Sequence, residues 1–290
     1  MLGGARHLKG VLLKGCHPRV KGSNCFPSSI RKLLTRKKKK GGRTTTTNTN
    51  TNTVATNSVA TTKKSNKTRS CMNHSDARCL LQSSDLPDSQ KDKLARQYLR
   101  PPRPSAWASD PDQWLDSNNI GDVMKQYEET YKDFKFLGVL PIDFAAPDPY
   151  TKGPTKKCLI DKMCEIDIAA LRRSGIDRLA AAFNLDPHFK DGSHWVACYV
   201  DLEKHRVYYF DSYGIRPPIQ IAKFMRSLTL QDPKMELAYN GRRFQYQGSE
   251  CGMYSLYFII SMLEGADFKT FCHHAVPDGE MLRLRHWLFS

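Results

Sequence analysis

The first 75 residues of this 290-residue chain contain no aspartate or glutamate. Residues 1–70 nevertheless contain 17 Lys and Arg, and 45 minus 17 leaves 28 bases against 29 acids in the rest of the chain. The formal net charge of +16 therefore lies almost entirely in the N-terminal quarter. This distribution excludes a uniformly basic protein and predicts a basic tail attached to a near-neutral globular body.

The sequence also lacks a membrane span and an export signal. No stretch is apolar for long enough to cross a bilayer, and residues 8–13 are too short and too charged for a signal core. The nine cysteines lack the spacing of a disulfide framework, and their number is odd. We therefore expect free thiols in a reducing compartment, meaning the cytoplasm, the nucleus or a particle assembled there.

Residues 44–62 are almost entirely Thr, Asn, Ala, Val and Ser. Such a segment buries too little apolar surface to offset the entropy of ordering it, so we predict disorder across residues 1–70. The run Lys37–Lys40 follows Arg36 and concentrates positive charge. It favours nonspecific contact with nucleic acid, and the alternatives are a nuclear import signal or a solubilising tail.

Two groups of Cys and His residues invite comparison with zinc sites. Neither has the tight paired spacing of a zinc finger or zinc ribbon, so we predict no metal site. The two groups are Cys16, His17 and Cys25, and Cys71, His74 and Cys79.

The segment from Phe244 to Leu263 changes from a polar loop into a long apolar run. Gly248 favours a turn, and the apolar run predicts a buried helix that ends near Gly265. Cys251 would then lie at the N-terminus of this helix, where the helix dipole favours a thiolate. The alternative is a buried apolar cysteine, and a nearby histidine is what would distinguish the two.

The remaining pattern predicts an α+β fold with three parts. Residues 1–70 form the tail, 71–155 a mostly helical arm and 156–290 the core. In the arm we predict helices over 91–98 and 120–134 and an extended strip over 136–144. In the core we predict a helix over 166–173, a helix or strand over 179–185, strands over 194–200, 206–211 and 235–239, and a helix starting at Pro217–Pro218.

The two strands over 194–200 and 206–211 are close enough in sequence to form a β-hairpin. His194 then lies at the entry of one strand and Asp211 at the exit of the other, so the two side chains meet at one sheet edge. An Asp that accepts from one imidazole nitrogen leaves the other nitrogen to pair with a nucleophile. We therefore predict a His194–Asp211–Cys251 triad.

Acyl transfer also needs donors for the oxyanion that develops on the carbonyl. The amide of Gln245 or Gln247 could supply one donor, and the Cys251 backbone N–H another. Trp195 could form a wall of the substrate cleft. Taken singly, His194 could instead be a core histidine, and Gln245 a surface amide.

Three sequence blocks resemble those of the SUMO-protease and adenovirus-protease clan of cysteine peptidases. They are Gly192–Val196, Tyr209–Gly214 and Gln245–Gly252. The resemblance covers about residues 155–290 and is strongest to proteases of large DNA viruses of the giant-virus, African swine fever virus and poxvirus types. It implies a papain-like core with a central mixed sheet flanked by helices and preceded by a helical arm.

The same resemblance implies that His194, Asp211 and Cys251 are catalytic and that Gln245 lines the oxyanion hole. Gln247 remains the alternative for that role. No metal or organic cofactor is implied, and activation by DNA or a peptide is left open.

The implied function is an endopeptidase that processes viral structural or core proteins after Gly-Gly during maturation. It would act in the virion or host cytoplasm, with the nucleus as the alternative that the basic run raises. An isopeptidase acting on ubiquitin or SUMO is the alternative enzyme, and a non-enzymatic basic virion protein that binds nucleic acid is the alternative outside enzymes. The tail pairs Gly3–Gly4 and Gly41–Gly42 are either self-processing sites or chance pairs.

Overall fold

The computed structural model describes residues 16–20, 24–35, 77–149, 151 and 157–290. These residues form two compact units, one within residues 24–99 and the other containing 16–20 together with the described residues from 100 to 290. This division differs from the predicted boundaries at residues 70 and 155. Among the described residues, no helix is both long and apolar enough to cross a lipid bilayer.

The unit within residues 24–99 contains three helices, α1 (Ser28–Leu34), α2 (Ala77–Ser83) and α3 (Asp88–Tyr98). Its small core includes Phe26 and Leu34, with Ile30 packed beside them. The prediction of disorder throughout residues 1–70 is therefore wrong for this stretch. Ile30 and Leu34 lie four residues apart on one face of α1, and Phe26 lies just before the helix, a spacing that the Lys-rich and Thr/Asn-rich neighbouring segments obscured. Those neighbouring segments lie outside the described residues.

The larger unit is built on a five-stranded sheet with strand order β1-β2-β3-β4-β5. The β1–β2 and β4–β5 pairs are parallel, and the two central pairs are antiparallel, so the predicted mixed sheet is confirmed. The strands are β1 (Phe134–Pro141), β2 (Arg178–Asn184), β3 (Trp195–Asp201), β4 (Arg206–Phe210) and β5 (Glu236–Tyr239). Seven α-helices accompany them in chain order: α4 (Ser117–Thr130), α5 (Asp161–Cys164), α6 (Ile168–Arg173), α7 (Ile219–Gln231), α8 (Cys251–Leu263), α9 (Phe268–His273) and α10 (Asp278–Leu288). A short 3-10 helix spans Ser105–Ala108.

Alternate residues of the central strands face opposite sides of the sheet and build two separate cores. On one side, Ala197 and Tyr199 pack in the same core as the helix α8. On the other side, Val196 and Cys198 pack in the same core as α7. All thirteen residues of α8 are buried, which is why its sequence is apolar on every face.

The segment predicted as an extended strip over 136–144 is instead the edge strand β1, paired with β2. A register shift between Phe136 and Gly138 interrupts the pairing, and Gly138 adopts φ +121°. Because this strand belongs to the sheet, the core reaches well before residue 155.

The stretch 179–185, predicted as helix or strand, is the strand β2. The helix α4 starts at Ser117, because Asp116 and Asn119 form a reciprocal capping box.

The expectation of free thiols is wrong for part of the cysteines. Cys158 and Cys164 form a disulfide, six residues apart in sequence. An isolated β-bridge at Cys158 and the single turn of α5 bring the two positions together, a local arrangement that spacing alone did not indicate. Cys16, Cys25 and Cys79 are also disulfide-bonded and so have no thiolate to offer a metal. The free thiols among the described cysteines are Cys198, Cys251 and Cys272.

Two leucines of α7 allow a matched test of the packing between this helix and the sheet. Leu228 is 0% exposed and Leu230 is 84% exposed. We expect Leu228→Ala to lower the free energy of unfolding by about 2–5 kcal/mol, because it leaves a cavity in the core. Leu230→Ala makes the same change on the same helix and should stay within about 0.5 kcal/mol of wild type. Urea unfolding measures both, and equal effects would contradict the described orientation of α7.

Candidate active site

The hairpin of β3 and β4 brings two of the predicted site residues together. His194 directly precedes β3 and Asp211 directly follows β4, and the distance from His194 Nε2 to Asp211 Oδ1 is 2.7 Å. Both side chains are largely buried. Since a carboxylate can only accept, Nε2 carries the proton that is shared with Asp211. Nδ1 is then the ring nitrogen left for a nucleophile.

Cys251 is the first residue of α8 and is 2% exposed. Its side chain is near enough to influence the charge of the His194 imidazole. Burial disfavours the imidazolium, but the hydrogen bond to Asp211 and the interaction with Cys251 outweigh burial and raise the pKa of His194 to about 9. The arrangement therefore favours a protonated His194 at neutral pH, beside Cys251 at the N-terminus of α8.

Asn240 holds the backbone of Asp211 in place, a contact that no sequence pattern indicated. Its Oδ1 accepts from the Asp211 N–H at 2.8 Å, and its Nδ2 donates to the Asp211 carbonyl at 2.6 Å. Asn240 is buried and directly follows β5, which pairs with β4. An asparagine after a short strand carries no local signal for this contact, because the two residues are 29 apart in sequence.

Of the two candidate glutamines, Gln245 is fully buried whereas the side chain of Gln247 is exposed. Gln245 Oε1 accepts from the Ser212 hydroxyl at 2.7 Å, and its Nε2 donates to the Gln247 carbonyl at 2.6 Å. The Gln247 carbonyl can only accept, so this contact fixes which end of the amide carries the N–H groups. The geometry thus favours Gln245 as the oriented donor, and its role in an oxyanion hole stays a prediction.

Trp195 lies mostly inside the protein. Its indole N–H donates to the Leu115 carbonyl at 2.8 Å, and the ring belongs to the core that surrounds α8. Its predicted role as a wall of the substrate cleft stays a prediction. Within the described ranges, no cluster of three or more His, Cys, Asp or Glu side chains could hold a metal ion.

A buried ion pair lies next to Cys251, and no sequence pattern indicated it. Glu250 directly precedes Cys251, and its Oε1 is 2.8 Å from Arg285 Nη2. Arg285 Nη1 also donates to the Gln113 carbonyl at 2.6 Å. Burial raises the pKa of the Glu250 carboxyl, although the contact with Arg285 acts in the opposite direction. This pair joins the start of α8 to the C-terminal helix α10.

Comparison with known proteins relates this geometry to one family. Residues 176–286 match the family described as "Ulp1 protease family, C-terminal catalytic domain", and this range contains His194, Asp211, Gln245 and Cys251. A thiol protease of Acanthamoeba polyphaga mimivirus is 34% identical over 184 residues, which cover 61% of this chain and 57% of that protein. A protein of African swine fever virus described as a SUMO-1 cysteine protease is 33% identical over 113 residues, covering 37% of this chain and 41% of the relative.

The fold is matched over nearly the whole chain by a solved structure. The crystal structure of an African swine fever virus protease superposes with a TM-score of 0.66 at 18% identity, covering 96% of each chain. This confirms the predicted α+β fold with a mixed sheet flanked by helices. The aligned part of this chain spans only about half the length of the curated relatives. The roles of His194, Asp211 and Cys251 stay predictions.

The buried ion pair provides a test of how the start of α8 is held. Glu250→Gln leaves the charge of Arg285 buried without its partner, so we expect a loss of about 3–5 kcal/mol in the free energy of unfolding. Glu280→Gln is the matched control, because Glu280 pairs with Arg283 near the protein surface, where a pair contributes at most about 1 kcal/mol. Urea unfolding at pH 7 compares the two, and a loss below about 1 kcal/mol for Glu250→Gln would contradict the described contact.

Proposed function

We propose that this chain, whose residues 176–286 form a Ulp1-type catalytic domain, is a cysteine protease with Cys251 as its nucleophile. The observation that carries the proposal is the hydrogen bond between Asp211 and His194, together with the influence of Cys251, at the start of a buried helix, on the same imidazole. The viral relatives described as thiol or cysteine proteases support it.

In the proposed reaction, the Cys251 thiolate attacks the carbonyl carbon of the scissile bond. The Gln245 amide and the Cys251 backbone N–H donate to the resulting oxyanion. The His194 imidazolium then gives its proton to the leaving amine, and an acyl-enzyme remains on Cys251. His194, now neutral, takes a proton from water, and the hydroxide displaces Cys251 as the thiolate. These side chains balance every proton transfer, so the proposal includes no metal or organic cofactor.

We propose endopeptidase action after Gly-Gly on viral structural or core proteins during maturation, in the virion or the host cytoplasm. Two observations support this choice. The curated relatives come from mimivirus and African swine fever virus, and the three sequence blocks resemble a clan associated with Gly-Gly substrates. The basic residues of the segment 1–70 would hold the enzyme on nucleic acid, with an affinity that falls as salt rises.

A second candidate function is removal of a ubiquitin-like protein from its conjugates. It is favoured by the description of the African swine fever virus relative as a SUMO-1 cysteine protease. Both substrate types would present a Gly-Gly segment to the nucleophile, so the same proposed triad would serve either reaction.

Two probes separate these functions and also test for activity itself. One is a polypeptide with internal Gly-Gly-X sites, and the other is ubiquitin or SUMO with a reactive C-terminal electrophile. We expect cleavage of the first probe, because the proposed enzyme is an endopeptidase, and labelling of Cys251 by the second would mean an isopeptidase. Fragments are detected by electrophoresis and the labelled residue by mass spectrometry.

The controls are two cysteine variants. Cys251→Ala should abolish the reaction, whereas Cys272→Ala should leave it unchanged, because burial raises the pKa of the Cys272 thiol to about 12. If neither probe reacts, with or without added DNA, the proposal of an enzyme is contradicted. The alternative function would then be that of a basic virion protein that binds nucleic acid.

The pH dependence follows from His194. Its pKa is raised to about 9, above the usual value near 6.5, so the imidazolium that protonates the leaving amine persists below that pH and is lost above it. We expect kcat/KM for the cleaved probe to fall on the alkaline side with a midpoint near pH 9. A midpoint near 6.5 would contradict the described interactions of His194 with Asp211 and Cys251. Unfolding measured over the same pH range checks that the loss is not denaturation.

A further inference from the structure

The imidazole of His194 is stacked against side chains that have no role in the proposed mechanism. The ring of Tyr213 lies on the His194 ring, with centroids 4.6 Å apart and planes inclined by 18°. The Arg243 guanidinium lies over two tyrosine rings, 5.3 Å from the centroid of Tyr213 and 4.8 Å from that of Tyr246. Tyr246 is largely exposed, so the stack runs from the buried imidazole to the protein surface.

A turn at the end of the hairpin accompanies the inner contact. Tyr213 lies in a turn directly after β4, closed by the Gly214 N–H, which donates to the Asp211 carbonyl at 2.8 Å. The Tyr213 backbone N–H also donates to Asp211 Oδ1 at 2.8 Å, the oxygen that receives the His194 proton. Tyr213 thus contacts His194 through its ring and Asp211 through its backbone.

Arg243 links this stack to the proposed oxyanion donor. Its Nε donates to the Gln245 carbonyl at 2.6 Å while its guanidinium lies over the Tyr213 ring. The backbones of Gly214 and Arg242 also lie close together, since a Cβ atom on Gly214 would be 2.7 Å from the Arg242 carbonyl carbon. The loop after β4 and the loop before α8 therefore approach each other closely beside the imidazole.

We propose that Tyr213 is a positioning residue for His194, and that Arg243 braces the Tyr213 ring against the imidazole. The proposal rests on the proposed function, because it assigns a task within that same site. The ring covers one face of the imidazole and holds its plane so that Nε2 faces Asp211 and Nδ1 faces Cys251. The electron-rich face of a tyrosine also attracts a cation more than a neutral ring, so the stack favours the imidazolium.

The side chain of Tyr213 can be changed without removing the other features of the site. Tyr213 lies beyond the end of β4, so its ring belongs to no strand pair. Its contact with Asp211 uses the backbone N–H, which every substitution except proline retains. Tyr213→Leu therefore removes the ring face alone, and Tyr213→Phe keeps that face while removing the hydroxyl.

We expect Tyr213→Leu to lower kcat by about 2- to 30-fold with little change in KM, as expected for loss of one cation–π contact. The alkaline midpoint of kcat/KM should fall by about 0.4–1.5 pH units, because the imidazolium loses stabilisation. Tyr213→Phe should stay close to wild type. Tyr239→Leu is the matched control, since Tyr239 is half exposed on β5 and should leave both values unchanged.

A second readout is independent of turnover. The NMR titration of the His194 ring, assigned by its absence in His194→Gln, should show the same downward shift in Tyr213→Leu and none in Tyr239→Leu. If wild type cleaves no probe, the proposed function fails while this titration still tests the stack. If wild type cleaves and Tyr213→Leu changes neither kcat nor the titration, the stack proposal alone is overturned.

Arg243→Lys covers the case in which Tyr213→Leu fails to fold. It keeps the positive charge and the tyrosine but removes the planar guanidinium that braces the ring, so kcat and the His194 titration should shift in the same direction, by less than in Tyr213→Leu if that variant folds. Equal loss of activity in Tyr213→Phe and Tyr213→Leu would contradict the proposal, because it would assign the effect to the hydroxyl. An unchanged titration in Arg243→Lys would contradict the role proposed for Arg243.

Discussion

The antiparallel register of β3 and β4 is the constraint on which the candidate site depends. It places His194, Asp211 and Tyr213 at one end of the hairpin. A shift of one residue would turn Val196 and Ala197 towards the wrong cores, so burial on both faces of the sheet protects the register. The geometry of three polar side chains at the sheet edge is thus maintained by apolar contacts at some distance from them.

Strong local signals made much of this arrangement predictable. Two β-rich runs joined by a short turn predict a hairpin, and a hairpin places His194 beside Asp211. The apolar run after Cys251 predicts a helix that is buried on all sides, and the structure contains that helix from Cys251 to Leu263. Both features arise within about twenty residues of sequence, where periodicity is informative.

Contacts between distant segments were not predictable in the same way. Asn240 and Arg285 are an ordinary loop asparagine and helix arginine until the fold brings them to Asp211 and Glu250. The strand β1 was missed because Gly138 and Pro141 interrupt its pattern, although its pairing with β2 tolerates both. The disulfide Cys158–Cys164 likewise depends on a single helical turn that brings two unremarkable positions together.

The burial of Cys251 and His194 has a consequence for what can react with them. The two residues are 2% and 9% exposed, so a reacting molecule must reach below the protein surface to meet either side chain. A narrow, extended segment of polypeptide can reach that depth, whereas the rigid surface of a folded protein cannot. Burial by itself would therefore select loose or terminal segments as reaction partners.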